Sequence, residues 1–250
     1  MIRANCRERF TDDDVRFVVD TLGQDAQGKK RALTQLLTDA QSRDNILDSE
    51  VLFERLVANK DVSKVSPHLY FYLLTRKVFL EEGIDDRDLT DYVAAMLAQF
   101  SSAHRWQRAS HMHDKTYQYF VDMMTDSAAA TPFEAFLLRS HMGNYALFMS
   151  GLFPDRIYYK ATYGRKAPGF DYYEKMGSSS YRWASRHELA LKYCLVDILA
   201  QLADQFHTVR LALNHLADNY MKLDDRNPPP LDKLLRQIFF GRQGEQKFDR

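Results

Sequence analysis

The chain is 250 residues long, with 34 Lys and Arg balanced by 34 Asp and Glu, 45% hydrophobic and 27% charged. That mix excludes a disordered tail, a collagen-like repeat and a disulfide-held secreted mini-domain. Zero net charge also removes the general attraction to nucleic acid that a basic chain has.

Only ten glycines and seven prolines interrupt the sequence. No segment alternates apolar and polar residues long enough for a strand, and no Asn-Gly or Asp-Gly marks a hairpin. The expected class is all-α, a bundle of roughly nine or ten helices with no β-sheet. Arg3, Arg7 and Arg9 are followed by no apolar run, so no signal peptide is expected. Thr11 before three aspartates opens a helix near 11–22 that stops at Gly23, the acids suiting its positive end. Helices near 28–40 and 45–58 follow. The polar stretch 59–66 reads as a linker between an N-terminal subdomain, 1–58, and a main bundle, 67–222, within a single all-α domain, 1–250. Ser66-Pro67 opens a helix running to 82 before Gly83, and further helices are expected near 87–100 and 103–125.

Thr131-Pro132-Phe133-Glu134 is a capping box for a helix over 132–152. Asp171 with Glu174, and Ser185 with Glu188, read as two more, for helices near 172–183 and 186–220. A tail, 223–250, carries Pro228–Pro230 and a short helix near 231–240. No window approaches the roughly 20 apolar residues of a spanning helix, so no membrane association is expected. Cys6 and Cys194 form no CxxC pair, and a reducing, cytoplasmic setting is expected. Cys194, in an apolar helical stretch, reads as packing.

Leu147-Phe148-Met149-Ser150-Gly151-Leu152-Phe153-Pro154 after Met142-Gly143-Asn144, and the run from Tyr172 to Tyr181, resemble stretches in helical bacterial proteins of similar length. The resemblance covers 142–154 and 172–181. It implies a helical fold and a bacterial origin, and no activity, cofactor or catalytic residue.

Polar residues on apolar helix faces are the informative ones. Asp204 and His207 have the carboxylate-x-x-His spacing of half a di-metal site, in which both side chains face the bundle interior. The apolar stripe through Leu195, Leu199, Leu202, Phe206, Val209, Leu213 and Leu216 instead leaves Asp197, Asp204, His215 and Asp218 on the far, wet side. His104, His111 and Asp114 also lie off the apolar side of their segment, whereas His113 shares it with Trp106 and Phe120. His141 and Glu134 fall with Leu138, Tyr145, Phe148 and Leu152, opposite Ala135, Arg139, Gly143, Ala146 and Ser150. A buried histidine bonded to a neighbouring helix is the plain outcome. The chemical one makes His141, with Glu134 and His113, a general base or an iron or haem site.

The stretch 156–166 carries Arg156, Lys160, Arg165 and Lys166 with Tyr158, Tyr159 and Tyr163 and no acid. Read as a surface connection, it suits protein contact through its tyrosines, or a phosphate or single-stranded nucleic acid through its cations. Arg182-x4-His187 and Arg210-x4-His215 fit a spacing seen in small helical ribonucleases of the HEPN type. The first straddles a helix start, and the second sets its side chains about 140° apart on a regular helix. No Walker loop, GxGxxG, HExxH or GxSxG occurs.

Without a catalytic signature, the leading expectation is a non-enzymatic interaction or scaffold protein, with no cofactor and a working surface near 145–183 that binds a partner protein or itself. The first alternative is an iron- or haem-dependent oxidoreductase using His141, His113 and Glu134. The second binds nucleic acid or phosphate through 156–166.

Overall fold

The computed structural model describes residues 1–23, 27–58, 65–101, 120–163 and 168–221, and all of its elements are helical. A 3₁₀ turn, Arg7–Arg9, precedes thirteen α-helices among the described residues. They are α1 (Asp12–Gly23), α2 (Gln27–Leu36), α3 (Ala40–Leu47), α4 (Glu50–Ala58), α5 (Pro67–Glu81), α6 (Arg87–Phe100) and α7 (Phe120–Ala129). The rest are α8 (Pro132–Leu152), α9 (Pro154–Tyr163), α10 (Phe170–Ser185), α11 (Glu188–Lys192), α12 (Val196–Asp204) and α13 (Phe206–Leu216), with a π turn over Ala217–Met221. No described helix is long and apolar enough to cross a membrane.

The all-α class is as expected, but thirteen helices replace nine or ten. The segment near 45–58 is broken at Asp48 and Ser49 between α3 and α4. The stretch read as a connection is helical, as α9, as far as Tyr163, opened by Pro154 with Asp155 in its first turn, and its remainder lies outside the described residues. The expected helix 186–220 is three helices. Its first break is a left-handed cap. Cys194 has φ 54°, its N–H donates to Leu191 O, and Leu195 N–H reaches Ala190 O at 2.8 Å. Gly83, at φ 76°, ends α5 with the same pair of bonds, to Leu80 and Phe79. Cys194 is exposed rather than packed.

Two expected caps are also corrected. Gly169 precedes α10 without a side-chain cap, and Glu174 bonds elsewhere. Ser185 closes α10, and His187 caps α11. The tail with its expected helix near 231–240 and most of the linker lie outside the described residues.

Helix α8 is the axis of the molecule. Both arms of its capping box are present, and from Ala135 to Leu152 every residue but Arg139 is buried. A helix apolar all round is a core helix, so Ala135, Gly143, Ala146 and Ser150, opposite His141, are buried as well. Helices α7, α9, α10 and α13 pack around it. The approach of α10 depends on missing side chains. A Cβ on Gly143 would meet the Tyr181 ring at 2.6 Å, and one on Gly177 the Phe206 ring at 2.2 Å.

At the other end, ion pairs tie the N-terminus to α3 and α6, and α5 to the segments before α4 and α6. Arg7 reaches Asp44 at 2.7 Å, Asp88 at 2.9 Å and Asp91 at 2.9 Å. Asp91, itself buried, also accepts the Cys6 and Arg7 backbone N–H groups. Arg76 is 3% exposed and pairs with Asp48 and Asp85, while Arg87 pairs with Asp48. Thr11 and Asp14 cap α1 reciprocally, and Asp14 also accepts the Ser66 N–H at 2.7 Å. Buried charges survive only when paired and bonded in this way. Burial pushes the Cys6 thiol well above its ordinary pKa.

Candidate functional site

Three regions carry polar or exposed aromatic side chains in number: the core around His141, the outward face of α9, and a groove on α10. His141 is buried, 4% exposed, with its ring 5.6 Å edge-on to Phe100 and 6.5 Å from Tyr145. Glu134, two turns away, or roughly 10 Å along the axis, accepts the Thr131 N–H at 3.0 Å and Oγ1–H at 2.8 Å. That carboxylate serves its own helix start. His113, the third member of the expected set, lies outside the described residues, as do His104, His111 and Asp114. No group of three or more His, Cys, Asp or Glu is placed to hold a metal among the described residues.

One turn from His141, Asn144 forms a hub that sequence reasoning missed. Its Oδ1 accepts the Tyr92 hydroxyl at 3.0 Å and the Tyr181 hydroxyl at 2.8 Å, and all three residues are buried. Burial pushes both phenols far above their ordinary pKa. They therefore remain neutral donors, fixed in one role.

Helix α9 is thinly attached. Ile157 is its buried anchor, while Tyr158, Tyr159 and Tyr163 stand 62%, 65% and 72% exposed. The Tyr159 and Tyr163 rings lie 4.9 Å apart. Arg156 is half-buried near Tyr145 and Tyr173, whose raised pKa values it partly offsets against burial. The expected cation cluster cannot be assembled from these residues, since Arg165 and Lys166 lie outside the described residues and the Lys160 side chain is not described.

The third region is a groove of about 630 Å³ lined by Ser178, Ser179, Arg182, Trp183, Arg186 and His187. Ser178, Arg182 and Arg186 repeat every fourth residue, and so do Ser179, Trp183 and His187. Such rows stack along a helix face as far as Ser185, where α10 ends; Arg186 follows as its cap and His187, in extended conformation, starts α11. Gly177, Ser180, Tyr181, Ala184 and Ser185 of α10 are buried on its inner side, which turns both rows outward. Arg182 is held by Asp204 at 2.6 Å, and Arg186 is exposed with no ion pair among the described residues. Trp183 is 40% exposed, with the Arg139 guanidinium 5.6 Å above its ring.

His187 stands 5.4 Å from the Trp183 ring and 5.3 Å from Phe136. Its Nδ1 accepts the Leu189 N–H at 3.2 Å. In the neutral ring the proton therefore sits on Nε2, which is left to donate. A general base needs that lone pair free. The Arg182–His187 spacing thus brings both residues to one groove, with the imidazole set as a donor. The C-terminal end of α10 disfavours an anion by about 0.3–1 kcal/mol, less than one charge-assisted hydrogen bond of roughly 1.5–3 kcal/mol supplies.

The remaining spacings dissolve into other side-chain pairs. Arg210 is buried against Glu174 at 2.7 Å and Asn214, while His215 faces Glu82 at 2.9 Å. Asp204 holds Arg182, and His207 holds Glu174 at 2.9 Å. Asp197, Asp204, His207, His215 and Asp218 are all exposed, so that face is wet as expected. Compared with known proteins, the chain matches no family model, no curated protein and no solved structure.

Proposed function

We propose that this protein works by protein contact rather than catalysis, through the outward face of α9, and that the partner is a second copy of the chain. The observation that carries the reading is the exposure of Tyr158, Tyr159 and Tyr163 on a helix that buries only Ile157 among its apolar residues. Tyrosine gives large contact area at low cost in side-chain freedom, and it is enriched in interface cores. Zero net charge leaves no general repulsion between copies.

Three partly exposed tyrosines can bury roughly 300–400 Å² per partner, about half of a standard 800 Å² face. A face of that size suits a weak, reversible contact. Two thiols outside any disulfide, Cys6 buried and Cys194 exposed, suit a reducing, cytoplasmic setting.

Sedimentation analysis across a micromolar concentration series tests the reading. The unaltered chain should pass from monomer to dimer. The triple variant Tyr158→Ser, Tyr159→Ser, Tyr163→Ser should stay monomeric with its melting temperature unchanged. A chain that stays monomeric throughout, or a triple variant that dimerises equally well, overturns it.

A further inference from the structure

We propose that the groove on the outward face of α10 binds a nucleotide unit, with its phosphate on Arg182, Arg186 and His187 and its flat base beside Trp183. The proposal concerns a different surface from the tyrosine face of α9 and stands independently of it. The two rows of the groove divide the work. On one, Arg182 is oriented by its 2.6 Å bond to Asp204 and keeps further guanidinium N–H groups, while Arg186 is an exposed cation with no acidic partner among the described residues. Two guanidiniums beside a neutral ring N–H make a donor set for a doubly charged phosphate. The Leu189 N–H fixes the imidazole so that Nε2–H is the available donor.

On the other row, Trp183 gives the apolar flank on which a heteroaromatic ring can lie. The serines supply the opposite polarity. Ser178 and Ser179 donate their hydroxyls to Lys175 O and Met176 O, so their oxygens are left to accept from sugar hydroxyls or a base amine. The groove, about 630 Å³, is broadly open to solvent along its outer side. Asp204 is already bonded to Arg182, and Glu188 is exposed in the first turn of α11. Against them stand Arg182, Arg186 and Arg139.

Calorimetric titration of the full chain with AMP, adenosine, inorganic phosphate and a short single-stranded oligoadenylate tests the proposal. AMP should bind, with adenosine and phosphate each at least tenfold weaker. Arg186→Ala and Trp183→Ala should each weaken AMP tenfold or more, and Arg186→Lys should recover only part of that loss. Arg186 is exposed, so its variants should keep the melting temperature, whereas Trp183 packs on Arg139 and His187, so Trp183→Ala should melt a few degrees lower and its AMP affinity is read well below that transition. The triple tyrosine variant of α9 should bind AMP like the unaltered chain. An oligoadenylate that binds tenfold tighter than AMP identifies a nucleic acid strand as the source of the unit, and equal affinity identifies the free nucleotide; either supports the site. Failure of both AMP and the oligoadenylate to bind, phosphate binding as tightly as AMP, or unchanged affinity in both single variants overturns it.

Discussion

Asn144 accepts two phenolic hydrogens on one oxygen in the middle of the molecule. Truncating it leaves two buried hydroxyls without a partner, each costing about 1–3 kcal/mol. Asn144→Ala should therefore lower unfolding free energy by about 3 kcal/mol in urea. Adding Tyr92→Phe and Tyr181→Phe should return most of that loss, because the orphaned hydroxyls go with it. Glycine positions give a sharper contrast. Gly177→Ala puts a methyl 2.2 Å from the Phe206 ring and 3.0 Å from the Ala146 Cβ. Neither helix can retreat cheaply, so a loss of about 2–3 kcal/mol is expected by the same measurement. Gly28→Ala meets nothing within 4 Å. It should be neutral or stabilise by up to about 1 kcal/mol, since alanine favours the helix.

Helix ends show which parts of the fold local chemistry announces. Starts at Ser66-Pro67 and Thr131-Pro132 and the stop at Gly83 are legible because the signalling residues make the capping bonds themselves. The stop at Cys194 is not, because cysteine occupies a left-handed cap that normally calls for glycine. Cys194→Gly should accordingly stabilise the protein by about 1 kcal/mol, read from its chemical denaturation midpoint. Pro154 ends one helix and starts the next, so the sequence alone reads it as a connection rather than as α9. The groove was hidden differently. Its rows at 178–182–186 and 179–183–187 are visible as spacing. Their outward direction depends on Gly177 and Tyr181 seating the other side of α10 against Phe206 and α8, and that is tertiary information. His141 is buried as its apolar neighbours suggest, but so is every residue of α8 from Ala135 to Leu152 except Arg139, so its choice of face carries no information.

Across the whole molecule, charge pairing makes stability depend on pH in a direction that can be worked out. Burial tends to raise the Asp48 carboxyl, but hydrogen bonds from Arg76 and Arg87 outweigh it and hold the group below its ordinary 3.8. A depressed carboxylate contributes stability that is present above the unfolded value and lost as pH falls through the folded one. Asp48→Asn should cost about 2 kcal/mol at neutral pH, because it strips charge from two guanidinium contacts. The gap between variant and unaltered chain should begin to close near pH 3.8 and shrink further below it, measured by urea unfolding along a pH series. A gap constant through that range would remove the assignment. Glu174, held low against burial by His207 and Arg210, should add to the same acid limb.

The position of α8 in the chain has a consequence for biosynthesis. This helix, buried on every side, leaves the ribosome before α10 and α13, which cover much of it. For the time it takes to translate from residue 152 to about residue 216, a long apolar rod lacks its cover. The nascent protein is most exposed to aggregation in that interval, and a chaperone that grips apolar helices would find its handle there.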